Sequence, residues 1–520
     1  MIWTKTAVVI WMTIISVSAF GQSIIPQPNI VNHKEGVFRF SGELSVSSRD
    51  KIFQKLIPGF ILSAQKFAEL SIVEKKKAAI RLVRNSEIKG SEEYQLTIDE
   101  KKITIEASTE NGCFYGLQSL LQLLVFSDNT HEIKCVQITD EPRLGWRGFM
   151  LDESRHFFGT NEVKKLLDQM ALLKLNKFHW HLTDEPGWRI EIKSYPLLTQ
   201  IGGVGNYSDP DAPAQFYTQN EIKEIVAYAA ERFIEIIPEI DMPGHATAAV
   251  KAYPEYSGGG SEKHPDFTFN PGNPETYTFL TNILREVTTL FPSEYIHIGG
   301  DEVSYGNQQW PELPGVKKLM KENELSNLNE VEHHFILQMA DSVSALGKKL
   351  IGWDELVSSG VNNRETLVMW WRHDKPGVLQ QALEKDFKVV LCPRIPLYFD
   401  FVQDENHKSG RKWGGKFAPV KSVYDFPSSA FLPASAIANT NVMGIQANLW
   451  TETIASQSRL EFMIFPRICA LAEAAWTIDR AKDYNNFETR LKMMFPLYRN
   501  ENIEYFDHIS GEGKEIQQSK

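Results

Sequence analysis

The chain has 520 residues, 42% hydrophobic and 23% charged, with a formal charge of −11 at pH 7. That length accommodates two or three domains, and the composition is that of a globular protein with a sizeable core. The acidic balance and the lack of a dense Lys/Arg stripe argue against a nucleic-acid partner, which needs a concentrated basic surface, and fit a neutral or weakly charged ligand such as a sugar.

Residues 1–21 have the pattern of a cleavable signal peptide: Lys5, an apolar run from Ala7 to Val17, and small residues around Ser18-Ala19-Phe20-Gly21. The run is too short for a good membrane span, so the expectation is a secreted or periplasmic protein with no stable membrane insertion. Cys113, Cys135, Cys392 and Cys469 follow no metal-ligand spacing and read as buried, inert thiols.

Residues 22–141 read as a small α/β domain. Phe38–Val46, Ala79–Val83 and Tyr94–Ile98 alternate apolar and polar residues as half-buried strands do, and Lys102–Ala107 adds another. After the Asn111-Gly112 turn, Phe114 to Leu124 has helical spacing, and Glu141-Pro142-Arg143 closes the domain. From residue 142 to 510, eight short apolar runs recur: Gly148–Leu151, Lys177–His181, Ile234–Ile240, Tyr295–Ile298, Lys349–Trp353, Leu367–Trp371, Lys388–Leu391 and Val442–Leu449. Helical periodicity lies between them over Asn161–Lys174, Gln219–Arg232, Pro274–Leu290 and Leu328–Leu346. The pattern predicts a (β/α)8 TIM barrel preceded by a small α/β domain, an α/β fold overall, with a polar tail at 511–520.

In such a barrel, chemistry sits at the C-terminal ends of the strands. The predicted strand ends carry Asp152-Glu153-Ser154-Arg155-His156, His179 to Glu185, Glu239-Ile240-Asp241-Met242-Pro243-Gly244-His245, and His297-Ile298-Gly299-Gly300-Asp301-Glu302. Asp301 and Glu302 carry most weight, because adjacent carboxylates leaving a strand point in different directions and can take different roles. Gly299-Gly300 is expected to let the backbone approach a sugar closely, while an apolar environment can keep one carboxyl protonated. The bland reading is an acidic helix cap. Trp353, Trp371, Tyr398, Trp413 and Trp450 fall at or after the ends of strands five to eight, where aromatic faces can stack on sugar C–H surfaces. Trp370 faces the opposite side of its strand from Trp371 and is the core candidate of the two. His179-x-His181 has ligand-like spacing, but no Cys/His cluster completes a metal set, so neither metal nor cofactor is expected. A catalytically silent, glycan-binding barrel is the alternative from another class; the presence of both Asp301 and Glu302 argues against it.

Seven ordered segments resemble glycoside hydrolase family 20 β-N-acetylhexosaminidases: Leu151 to Phe157, His179 to Asp184, Pro238 to His245, His297 to Val303, Gly352-Trp353-Asp354-Glu355, Tyr398-Phe399-Asp400 and Asn448 to Glu452. The resemblance implies an exo-acting, retaining enzyme whose substrate, a glycan with a terminal N-acetylhexosamine, supplies the nucleophile from its own 2-acetamido group. It further implies Glu302 as general acid and base, Asp301 orienting the acetamido N–H, and Tyr398 donating to the acetamido oxygen. Arg155, Asp400 and Glu452 would grip sugar hydroxyls. Trp353, Trp371 and Trp450 would wall the pocket, with Trp413 at its mouth. Asp184, Asp241 and His245 would position the two catalytic carboxylates.

Overall fold

A computed structural model of the chain describes residues 23–40, 42–127 and 131–510. The expected signal segment 1–21 and the polar tail 511–520 lie outside the described residues.

The first part of the chain forms one mixed sheet of β1 (Ile30–Arg39), β2 (Glu43–Ser48), β3 (Ser71–Glu74), β4 (Ile80–Arg84), β5 (Tyr94–Asp99), β6 (Lys102–Ala107) and β7 (Glu132–Asp140). Its strand order is β1-β7-β5-β6-β4-β2-β3. In β5 every second residue, Tyr94, Leu96 and Ile98, is buried, which is the alternation visible in the sequence. Helices α1 (Ile57–Ala68) and α2 (Glu110–Val125) pack against the sheet. The Thr109 hydroxyl caps α2 by accepting from the Gly112 N–H. The helix is buried all round from Gly112 to Leu124, because it is covered by the sheet on one side and by a barrel helix on the other. One expectation fails here. Phe38–Val46 is not a single strand: β1 ends at Arg39, β2 begins at Glu43, and the two sit on opposite sides of the sheet. The alternation runs through a turn that includes Gly42, at φ 44°, so two unrelated strands present one continuous pattern.

Eight parallel strands then close a barrel in sequential order: β8 (Trp146–Asp152), β9 (Lys177–His181), β10 (Glu235–Glu239), β11 (Tyr295–His297), β12 (Lys349–Trp353), β13 (Thr366–Trp370), β14 (Lys388–Leu391) and β15 (Val442–Leu449), the last pairing with β8. These are the eight runs read from the sequence, shifted by at most two residues. Both faces of the strands are covered, so they read as apolar runs rather than as alternations. Helices α3 (Thr160–Leu172), α4 (Gln219–Ala230), α5 (Pro274–Leu290) and α6 (Leu328–Ala345) follow the first, second, third and fourth strands. Thr218 and Glu221 start α4 with a reciprocal capping box. Parallel register sets Glu239 opposite both His181 and His297, and Asp152 opposite His181. This brings the polar strand ends together at one end of the barrel.

Candidate active site

After β11 the chain turns through Gly299 (φ 68°) and Gly300 (φ 88°) into Asp301 and Glu302. A Cβ on Gly299 would lie 1.8 Å from Asp241 Oδ1, and one on Gly300 would lie 2.6 Å from Leu356 Cδ1. The glycines are therefore required here, but not for the reason expected from the sequence: Asp241 and Leu356, not a sugar, occupy the space. Glu302 and His245 are themselves left-handed, both at φ 53°. For side chains of this size that conformation costs about 1 kcal/mol or more and persists only where the surroundings impose it, typically at functional sites.

A line of charged groups runs from the barrel interior to Glu302. His181 donates from Nδ1 to Glu239 Oε2 (2.5 Å) and from Nε2 to Asp184 Oδ2 (2.9 Å). His245 Nδ1 donates to Asp184 Oδ1 (3.0 Å), and its Nε2 lies 3.6 Å from Glu302 and 3.8 Å from Asp301. Arg155 Nη2 also reaches Asp184, at 2.7 Å. Burial works against charge on Asp184, but Arg155, His245 and His181 hold it well below the usual carboxylate range. Burial likewise opposes charge on His245, which Asp184 nevertheless keeps protonated.

The Asp301–Glu302 pair divides its charge. Asp301 is pushed up to about 7, chiefly by burial, with His245 opposing and Glu302 adding to the rise. Glu302 is less enclosed; burial raises it, but the neighbouring His245, with Arg155, brings it below the ordinary value. Asp241, beside Asp301, is held neutral by burial and by that neighbour. In the free site, then, the pair's proton resides on Asp301 and its charge on Glu302.

Around the pair stands an aromatic cup. Trp371 and Tyr398 stack with centroids 6.3 Å apart and planes 10° apart, Tyr398 lies 6.2 Å from Trp450, and Trp450 lies 5.9 Å from Trp353. Glu355 accepts from Trp371 Nε1 at 3.1 Å. Trp371 packs with these site aromatics while Trp370 packs in the main core, which is the register expected from strand alternation. Beside the cup, Arg411 joins Asp400 (3.2 Å) and Glu452 (3.0 Å). Burial pushes Asp400 up to about 7 against the pull of Arg411. Both carboxylate oxygens of Asp400, Glu452 Oε2, Asp301 Oδ1 and Asp241 Oδ1 are buried without a hydrogen-bond partner in the described structure. The side chain of Trp413 lies outside the described residues.

Two connected spaces meet at Glu302. An inner cavity of about 60 Å³ is lined by Trp371, Tyr398, Trp450, Asp301, Arg411 and Glu452. An outer one of about 550 Å³ opens past Tyr207, His264 and Tyr305. Arg155, His245, Glu302 and Glu452 line both. The Ser257–Asp266 segment after β10 brings Lys263 and His264 to this outer space. A larger cavity of about 650 Å³ lies between α1, α2 and barrel helices and contains no such constellation.

A family model described as glycosyl hydrolase family 20, catalytic domain, matches residues 144–479, and one for domain 2 of the same family matches 21–141. The chain belongs to glycosyl hydrolase family 20. Among family 20 relatives, a β-hexosaminidase of Porphyromonas gingivalis is 36% identical over 91% of this chain and 62% of its own length, so this chain spans less than two thirds of that protein. A β-hexosaminidase of Vibrio furnissii is 34% identical over 86% of this chain and 76% of its own. The crystal structure of an exo β-N-acetylglucosaminidase from Vibrio harveyi, in complex with N-acetylglucosamine, superposes with a TM-score of 0.85 at 33% identity, covering 93% of this chain and 78% of the other. These likenesses make the chain a glycoside hydrolase of the β-N-acetylhexosaminidase type.

Every candidate whose side chain is described, from Arg155 to Glu452, falls within this one region or on the line leading into it. Arg394, Arg411 and Glu355 are also there and were not singled out from the sequence. Arg394 follows β14 by three residues and covers the Trp371 ring at 4.9 Å; its position past a strand end was a usable signal. Arg411 lies in an irregular segment of Gly and Lys with no periodicity to mark it. Ligand-type atoms of His179, Glu239 and His297 lie within 4.8 Å of one another, as do those of Asp241, His245 and Asp301. In the first set Glu239 already takes ring N–H donors on both oxygens, and we read it as a hydrogen-bonded cluster.

Proposed function

We propose that this protein is an exo-acting, retaining β-N-acetylhexosaminidase that removes terminal, non-reducing β-linked N-acetylglucosamine or N-acetylgalactosamine from glycans or chito-oligosaccharides. The observation that carries this reading is the position of Glu302 where a small inner cavity, lined by Asp301 and the site aromatics, meets a larger outer one. A glycosidic oxygen lies at such a junction when the terminal sugar fills the inner space and the remainder of the glycan the outer one.

In the first step the Glu302 carboxyl gives its proton to the glycosidic oxygen as the bond to the anomeric carbon breaks. The substrate's acetamido carbonyl oxygen attacks that carbon from the opposite side, forming an oxazolinium ring and releasing the alcohol. Having the nucleophile already attached replaces a bimolecular encounter and can lower the barrier by several kcal/mol. Asp301 accepts from the acetamido N–H and balances the charge that develops on the ring, while Tyr398 donates to the acetamido oxygen. The Glu302 carboxylate then takes a proton from water, the hydroxyl reopens the ring at the anomeric carbon, and two inversions give retention. The acetamido methyl rests among Trp353, Trp371 and Trp450.

This sequence needs the proton on Glu302 and the charge on Asp301, the reverse of the free site. Substrate binding supplies the exchange: the acetamido N–H favours the ionised form of Asp301, and covering Glu302 with the aglycone disfavours its charge. Secretion or export to a periplasm belongs to the same proposal, supported by Lys5 and the apolar run before Gly21; the mass of the exported chain would test the cut.

Purified protein is expected to hydrolyse aryl β-N-acetylglucosaminides with retention. The matching β-glucoside, lacking the acetamido nucleophile, should lose roughly 10³-fold or more in kcat/KM. A thiazoline that mimics the cyclised intermediate should inhibit competitively and bind far more tightly than substrate. Trapping of a covalent glycosyl-enzyme by a fluorosugar, with weak thiazoline binding, would overturn the mechanism.

A further inference from the structure

Glu239, at the end of β10, is fully buried, and no role in the proposed reaction has so far been given to it. An isolated carboxylate at that depth would be neutral. Here four ring nitrogens surround it. Oε1 accepts from Trp353 Nε1 at 3.0 Å and lies 2.9 Å from His297 Nδ1. Oε2 accepts from His181 Nδ1 at 2.5 Å and lies 2.9 Å from His179 Nε2. Gln446 Nε2 donates to His179 Nδ1, which leaves the proton of a neutral His179 on Nε2, facing Glu239. Strand register produces this cluster, because His181 and His297 are the residues directly opposite Glu239 on its two neighbours.

The ring of His181 faces carboxylates at both nitrogens, Glu239 on one side and Asp184 on the other. Ionised carboxylates only accept, so His181 must donate twice and carry a positive charge. Asp184 passes the line to His245, which ends 3.6 Å from Glu302. One buried carboxylate is thus attached at one oxygen to a wall of the aromatic cup, and at the other to the groups that govern the acid.

We infer that Glu239 is a positioning residue for the reaction, fixing Trp353 in the cup and, through His181, Asp184 and His245, fixing the protonation and aim of Glu302. The inference rests on the glycosidase reading above, but its first test does not.

Beyond the cluster, the titratable groups facing the Asp301–Glu302 pair include Asp184 and Asp241 from the second and third strand ends, His245, and Arg155. Tyr305, Glu332 of α6, Glu355 and Arg372 are the other charged or titratable groups near it. Glu239 contributes a negative charge that holds the Asp301 proton in place. Its removal should therefore release the pair's proton at lower pH.

In the full-length wild-type protein, 15N-labelled imidazole resonances should show His181 protonated on both nitrogens at pH 7, identified by the signal lost in His181→Asn. A neutral His181 would overturn the inference whether or not the protein hydrolyses hexosaminides. Glu239→Gln keeps the shape and removes the charge. With an aryl N-acetylglucosaminide, it should lower kcat at least tenfold and move the alkaline limb of kcat/KM to lower pH. Glu239→Asp, still charged, should lose activity and leave that limb unmoved. Trp353→Phe should raise KM with the limb likewise unmoved. A folded Glu239→Gln with wild-type kcat and pH profile would sink the proposal. If Glu239→Gln does not fold, the His181 spectrum and the Glu239→Asp profile decide it.

Discussion

Two buried clusters of charge sit at opposite ends of the barrel, and they differ in how completely they are satisfied. At the lower end, where the barrel meets the N-terminal sheet, Asp140 accepts from Tyr94, Trp476 Nε1, the Asn29 N–H and Lys174, which lies 3.2 Å away. Arg147 there bonds Glu92, Tyr115 and the Lys174 carbonyl. Lys174 and Asp140 are almost fully enclosed and are absent from the buried atoms that want a partner. At the upper end, Asp301, Asp241, Asp400 and Glu452 all have buried oxygens with none. Buried polar atoms are nearly always paired. A cluster that is complete holds the fold together; one that is incomplete at several converging atoms is shaped for a ligand.

The sharpest test of that contrast is Glu302→Gln. Turnover of a disaccharide, whose leaving group needs a proton, should fall about 10³- to 10⁴-fold, at the upper end of what general acid catalysis supplies. Activated aryl glycosides should suffer less, and thermal stability should not fall. Near-wild-type disaccharide hydrolysis would remove Glu302 from its role.

Asp301→Asn should lower kcat on aryl substrates about 10²- to 10³-fold, the scale of a lost electrostatic stabiliser. It also has a pH signature. In the wild type, kcat/KM should decline as pH rises through about 7, where the carboxylate pair gives up its single proton. In the variant Glu302 stands alone beside His245, which holds it low, so the decline should begin at lower pH. An unmoved limb would mean that another group sets it.

Lys174→Met probes the lower cluster and should behave in the opposite way. Removing one partner of a buried pair costs about 3–5 kcal/mol, read as a lower denaturant midpoint or Tm, with kcat per folded molecule retained. A large loss of kcat with unchanged stability would break the division between the two ends. The smallest effect is expected from Trp371→Phe, which deletes the hydrogen bond to Glu355. KM should rise roughly fivefold, the equivalent of about 1 kcal/mol, with the pH profile unchanged.

Much of this was legible beforehand. The eight barrel strands could be read because strands covered on both faces are continuous apolar runs, and polar residues at their ends stand out against them. The N-terminal sheet was less legible. Its edge strands β1 and β3 are short of buried residues, and the pattern from Phe38 to Val46 ran straight through a turn. Arg411 was invisible because nothing local marks it; only its contact with Asp400 and Glu452 does. The Gly299-Gly300 pair was noticed, but its reason was misread, since the atoms it makes room for belong to Asp241, 58 residues earlier in the chain, and to Leu356, far later.

The sequence by itself determined the barrel, the order of its strand ends and the identity of the acidic pair. Those follow from local periodicity and from which residues come immediately after each strand. Only the tertiary structure decided how the carboxylates share their protons and which polar atoms are left waiting for a ligand. It alone brings Glu239 to Trp353 and, through His181, into line with Glu302. Such properties depend on burial and on distances of a few ångströms between residues remote in sequence, and parallel register around a closed barrel is what sets them.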